Sequence, residues 1–455
     1  MEDSSLRQRP LAHSKDPQSS QQAPTPDAAI HHLENTYPPF VPPTNLTINQ
    51  LLSVIPTHCF ERSTLTSLRY VGQDVALMVS LWYLASLIDT SFGIDGGVMG
   101  NITKWSAWSG YWVVQSFVMT GLWVIGHECG HRAFSPSKRI NDLVGLIIHS
   151  FLLVPYHSWR ISHAKHHAST GNLEKDQVFV PKTLEQLGGG KKGKKVRVAK
   201  GIELDELLED APMYRFVELI GQQLLGWPVY LFFNVSGQPS YPKGTNHFNP
   251  NSIIFDRRHR SLILLSDAAL LVTLSFFYFV AHCLSSLGVL GTHSPLSLFT
   301  KFYFIPYLLV NHWLVLITYL QHTSPLLPHY RASHWSFLLG ALTTTIDRNF
   351  LGPVGKTLLH GISETHILHH LCSKIPHYHA EEATEAIKQY LEETNPGVYL
   401  EEKKENVLIS LWKTMGECKF VDGEGGVVMY RDAYGRQRRK VEMKMEGADS
   451  GVEGI

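Results

Sequence analysis

Residues 105–131 read WSAWSGYWVVQSFVMTGLWVIGHECGH, and this stretch decides the fold. Trp105 to Gly126 carries no Asp, Glu, Lys or Arg over 22 residues, enough for the ~20-residue helix that crosses a bilayer. Trp105, Trp108, Tyr111 and Trp112 crowd one end, as interfacial aromatics do. His127 and His131 close the other end, four residues apart and so on one helix face.

Working outward, Ala268–Thr300 and Phe302–Tyr330 are also free of those four residue types, and Asp74 and Asp89 bracket a shorter apolar run. Four spans is the simplest count. Leu143–Trp159, with Pro155, and Phe216–Val235, with Glu218 and Pro228, read instead as interfacial or re-entrant elements. The expected fold is all-α and integral to the membrane: about four transmembrane helices, interfacial helices and a cytosolic histidine-rich cap. Basic residues set the orientation. Arg132, Lys138, Arg139 and the run Lys191–Lys200 lie on one side, whereas the opposite loops carry only Lys104 and Lys301. The positive-inside rule then places both termini and residues 127–261 in the cytosol.

Residues 1–45 are rich in Pro, Ser and Gln and read as a disordered cytosolic tail. Residues 46–400 form the expected membrane domain, and 401–455 a polar cytosolic C-terminal extension. The opening residues lack the basic-then-apolar pattern of a cleaved signal peptide. Gly188–Gly201 reads as a flexible basic loop. Lys+Arg and Asp+Glu are both 40, so charge gives no argument for a nucleic-acid partner. Five scattered cysteines without a Cys-x-x-Cys argue against a disulfide framework and a cysteine-rich zinc site.

The 25 histidines are the anomaly. His127 and His131 are followed by two H-x-x-H-H clusters, His163/His166/His167 and His366/His369/His370, each presenting three imidazoles to one side of a helix. One buried histidine is commonly a structural residue; eight in three same-face sets point to metal. A catalytic zinc takes three protein ligands, so this set suits two metal ions, and the membrane setting favours two irons activating dioxygen. Metal–nitrogen bonds of about 2 Å then require all three clusters on one side of the membrane. That agrees with two crossings between His167 and His366, and with no net crossing between His131 and His163. His322, at the cytosolic end of the last span, is a ninth candidate, whereas His312 lies about 15 Å deeper. Glu128, Asp176 and Glu364 are placed to hold the second ring nitrogen of a ligating histidine.

Gly126–Ser135 (GHECGHRAFS), Trp159–Val180, Thr318–Tyr330 and Glu364–Lys388 resemble the membrane fatty-acyl desaturases, above all the microsomal oleate Δ12 (omega-6) desaturases of fungi and plants. The resemblance covers roughly residues 45–400. It implies an endoplasmic-reticulum enzyme with two Fe2+ ions held by the eight box histidines and His322. The implied reaction uses dioxygen to convert a phospholipid-bound oleoyl chain to linoleoyl. The implied electrons come from NADH through a reductase and cytochrome b5, a separate protein because the His-Pro-Gly-Gly haem motif is absent. His379 stands where relatives often carry asparagine.

A hydroxylase, epoxygenase or acetylenase on the same iron site is the nearest alternative. His127-Glu128-Cys129-Gly130-His131 also spells H-E-x-x-H, the pattern of zinc proteases, but such an enzyme has no use for two H-x-x-H-H clusters. A metal transporter would need more polar residues within its spans than Asp267, His282, Asn311 and His312.

Overall fold

The computed structural model describes residues 37–92, 97–187, 212–288, 293–349 and 351–442. Most of the expected tail and the basic loop at 188–201 lie outside these residues. A short helix, α1 (Ile48–Ser53), opens the fold on a capping box: Thr47 accepts from the Gln50 amide, and the Gln50 side chain returns to the Thr47 amide.

The long helices are α2 (Thr64–Ser86, extended by a turn at Ile88–Ser91), α3 (Gly97–His131), the shorter α4 (Lys138–Phe151) and α5 (Tyr156–His167), α6 (Pro212–Phe233), α7 (Arg260–Ser286) and α8 (Ile305–His322). The last is entered from Pro295–Phe299 through one π-helical turn, Thr300–Phe304. Three segments, 64–91, 257–286 and 295–322, are long and apolar enough to cross a membrane. Exposed Leu65, Val79, Tyr83 and Leu84 on α2, and Leu271, Val272, Phe276 and Phe279 on α7, give these helices apolar outer faces. The 35-residue α3 measures about 52 Å at 1.5 Å per residue. It is not one of those three segments, although the sequence reading counts Trp105–Gly126 as a span; its neighbours bury much of its second half, Gln115, Ser116 and Thr120 included. Thr64 meets Ser135 at one end and the Trp108 indole meets Asp89 at the other, so α3 packs antiparallel beside α2.

Two span boundaries differ from the sequence reading. Asp74 is not the border of the first span but a buried residue inside α2, where its Oδ2 lies 2.8 Å from Nε2 of His360. The charge-free runs 268–300 and 302–330 also overshoot. The chain leaves α7 at Ser286 and re-enters at Pro295, so Lys301 lies within the helical segment. Its ammonium reaches Asp89, which also pairs with Lys104 and His293. Around this cluster the Trp108 indole donates to Asp89, and Tyr111 and Trp112 donate to the carbonyls of Phe302 and Lys301. The aromatic end seen in the sequence is therefore a polar collar joining α2, α3 and the entry to α8.

The segment 143–159 is two helices, α4 and α5, bent by 108° where Pro155 caps α5. After the bend, α5 brings Nε2 of His163 to 2.9 Å from that of His127 on α3. Close packing against α3 depends on glycine: a Cβ on Gly121 would fall 2.2 Å from the Leu358 carbonyl oxygen, and one on Gly126 would fall 2.3 Å from His149.

Beyond α8 the chain builds a cap from β1 (Pro328–Tyr330), α9 (Phe337–Thr343), β2 (Asp347–Arg348), α10 (Gly352–Leu358), α11 (His366–Leu371) and α12 (His377–Thr394). It continues through β3 (Glu401–Glu402), α13 (Val407–Glu417), β4 (Phe420–Val421) and β5 (Val427–Arg431). β5 pairs antiparallel with both β1 and β4, while β2 and β3 form a parallel pair. A core of Leu51, Ile55, Leu342, Ile367, Leu371, Ile387 and Leu391 joins α1, α9, α11 and α12 beneath the third histidine cluster.

Candidate metal centre

Histidines from α3, α5, α8 and α11 meet at one end of the helices. His127, His131, His163, His167 and His369 form one group, and His166, His322 and His370 a second; within each, the ligand atoms lie within 4.8 Å of one another. His366 joins the second group, its Nε2 being 2.9 Å from Nε2 of His322 and 3.1 Å from that of His370.

Each H-x-x-H-H cluster therefore divides, where a single set facing one way was expected. Successive helical residues turn by about 100°, so positions i and i+4 differ by about 40° while i+3 falls about 60° to the other side. On α5, His163 and His167 turn to the first group and His166 to the second. On α11, His366 and His370 turn to the second and His369 to the first. The two short helices thus each supply both groups.

The spacing fits metal. Two nitrogens bound about 2.1 Å from one ion at right angles lie about 3.0 Å apart; Nε2 of His163 is 2.9 Å from that of His127 and 3.1 Å from that of His167. The Nε2 atoms of His131 and His369 are buried and have no hydrogen-bond partner among the described residues, a costly arrangement unless an ion takes their lone pairs. Burial holds the His366 and His370 imidazoles well below the usual range, helped by neighbouring imidazoles, and pushes His369 down to about 4. Neutral imidazole is the form that ligates. These clusters are able to bind metal.

The three carboxylates singled out by sequence are placed differently from one another. Asp176 accepts from Nδ1 of His166 at 2.6 Å and from the amides of Gly171 and Gln177. Glu128 turns away from the histidine groups and accepts from Nδ1 of His377 at 2.9 Å and from the His377 amide, at the N-terminus of α12. A carboxylate is favoured there by the helix dipole. It is therefore not positioned as the general base that the H-E-x-x-H reading requires. Glu364 touches no cluster histidine; both its oxygens are buried without a hydrogen-bond partner among the described residues, and burial pushes its carboxyl up to about 7.

Other supports had no local signal. Thr170 Oγ1 lies 3.0 Å from Nδ1 of His370. Asp347 accepts from the Ile367 amide, capping α11 from a distant strand, and the Tyr399 hydroxyl donates to its other oxygen. Arg348 donates from Nε to the Leu320 carbonyl at 2.9 Å, bracing the C-terminal turn of α8 that carries His322. His312 instead meets Gln223, with Nδ1 at 3.0 Å.

A cavity between α3, α5, α6 and α8 opens onto both groups. Val124, Trp159, Trp227, Tyr230, Leu314 and Val315 line its apolar walls, while His127, His163, His166, His322 and His366 face it at the metal end.

The fatty acid desaturase family matches residues 104–400. A Delta(12) fatty acid desaturase of Mortierella isabellina is 44% identical over 386 residues, covering 85% of this chain and 90% of the relative. An endoplasmic-reticulum omega-6 fatty acid desaturase of Glycine max is 41% identical over 410 residues, 89% of this chain and 94% of the relative. An oleate hydroxylase of Claviceps purpurea is 39% identical over 442 residues, 91% of this chain and 87% of the relative. The chain belongs to the fatty acid desaturase family. It is a multi-pass membrane enzyme of that family, and a fatty acyl chain is its class of substrate.

Proposed function

We propose that this protein is an acyl-lipid Δ12 desaturase that converts membrane-bound oleoyl chains to linoleoyl. The observation that carries the reading is the apolar cavity ending on two adjacent histidine groups, together with similarity to Δ12 desaturases over most of the chain. The nine histidines would hold two iron ions, five donors on the first and four on the second. Bound iron supplies the activation of dioxygen and the removal of hydrogen from an unactivated methylene.

The chain's own residues do the rest. Trp159, Trp227, Leu314 and Val315 hold the acyl chain against the metal end and exclude water. A misplacement of about 1 Å can cost a hundredfold in rate, so the rigid α3–α8 pair sets which carbons react. Asp176 keeps the His166 proton on Nδ1, leaving Nε2 free for metal. Electrons come from a separate cytochrome b5 and its NADH-dependent reductase. Lys and Arg distribution supports both termini being cytosolic, and similarity to the endoplasmic-reticulum isozyme of Glycine max supports that membrane. The catalytic unit spans 46–400, and the extension from 401 clasps it through β5 and the Arg348–Ser410 contact.

The hydroxylase relatives favour one second reading, 12-hydroxylation of the same chain. Expression in a host without diunsaturated fatty acids separates the two. Linoleate that disappears with His370→Ala supports the desaturase; hydroxy acid without linoleate contradicts it.

A further inference from the structure

A third set of donor atoms converges away from the nine histidines. His58 and Cys59 come from the 3-10 turn Thr57–Phe60, and His379 and Glu382 from the first turns of α12, three residues apart and on one face. Their ligand atoms all lie within 4.8 Å of one another. Nε2 of His58 is 2.9 Å from Oε2 of Glu382 and 3.7 Å from Sγ of Cys59, and the His58 and His379 rings meet edge to face at 5.5 Å.

We propose that His58, Cys59, His379 and Glu382 form a second kind of metal site, a tetrahedral one for a zinc-like divalent cation that ties the 57–60 turn to α12. Tetrahedral zinc with bonds of about 2.0–2.3 Å sets its donors about 3.3–3.6 Å apart, and the separations of 2.9 and 3.7 Å lie on either side of that spacing. A thiolate and a carboxylate neutralise the dication, and two imidazoles complete four ligands. The thiolate selects zinc-like ions over magnesium or calcium.

The site is sealed on one side and open on the other. Cys59 is fully buried, while the His58 and Glu382 side chains are 52% and 53% exposed, which gives a cation a way in. Without metal, His58 and Glu382 make only an exposed ion pair of small worth. Such a pair leaves unexplained why a sulfur and a second imidazole converge on it. Burial and the neighbouring Glu382 push the Cys59 thiol up, so the ion must displace its proton and binding weakens as pH falls. The tie fixes the 57–60 turn to α12, whose first residue, His377, holds Glu128, and it adds no ligand to the first histidine group.

The test is a Co2+ titration of full-length, iron-loaded protein in detergent, read by the near-ultraviolet thiolate-to-cobalt absorption. The nine histidines contain no sulfur and cannot produce that band. One equivalent should saturate it, Cys59→Ser should abolish it, and His379→Asn and Glu382→Gln should each weaken binding about tenfold or more. Iron content should be unchanged in the last two, which also covers the case where Cys59→Ser does not fold. Absence of the band in the wild type, its persistence in Cys59→Ser, or wild-type affinity in both other variants overturns the proposal.

Discussion

Nδ1 of His166 donates to Oδ1 of Asp176 at 2.6 Å, with both side chains almost wholly buried. The same carboxylate accepts from the Gly171 and Gln177 amides, so the loop after α5 holds it rigidly. Asp176 therefore fixes which His166 nitrogen is free to face His322 and His370. Outer partners of this kind typically account for about 10–100-fold in metal affinity. Asp176→Asn should lower affinity for the second ion by that amount and leave the first group filled. Iron per chain across a chelator series measures it.

His322 and His312 lie on the same helix, but only His322 reaches a histidine group. His322→Ala should remove one iron and abolish desaturation. His312→Ala should retain both irons, because the contacts it loses, with Gln223 and the Trp313 ring, involve no cluster histidine. Metal analysis with lipid profiling reads both outcomes.

Asp74 and His360 form a pair 1% exposed on each side, linking α2 to the loop before α11. Removing one member of a buried pair leaves the other unsatisfied, at a cost of about 3–5 kcal/mol. Asp74→Ala should lower the thermal unfolding midpoint in detergent markedly, with or without added iron. An unchanged midpoint would show that the pair carries no stability.

Gly126 immediately precedes His127, and a Cβ there would fall 2.3 Å from the His149 ring, which packs between Trp123 and Trp159. With no slack on either side, Gly126→Ala should cost about 1–3 kcal/mol, as overpacking does. It should also reduce iron retention by displacing α3. Gly110, with open space around its Cβ position, is the matched control: Gly110→Ala should be near neutral.

Much of the centre could be read from spacing, because the relevant groups sit on helices and helical periodicity carries over to space. The three clusters and His322 do come together, and Pro155 does mark the bend between α4 and α5. Adjacency misled where the helix turns. Glu128 follows His127 directly, but one residue is about 100° of rotation, and its carboxylate ends on His377. Spacing also could not show the division of each H-x-x-H-H cluster, since that depends on where two other helices stand. Asp347, Arg348 and Thr170 act across folds of the chain, and nothing near them in sequence signals it. Asp74 brackets an apolar run in the sequence, and its partner His360 stands 286 positions later, too far for local spacing to pair them.

Nine helix-borne histidines, five in one group and four in the other, are proposed to hold two iron ions at the end of the acyl cavity. Iron quantification per chain on the purified, active full-length enzyme, beside His322→Ala, tests this most directly. The account predicts two irons in the wild type and about one in the variant. Full desaturase activity with less than one iron per chain, or an unchanged iron count in His322→Ala, would contradict it.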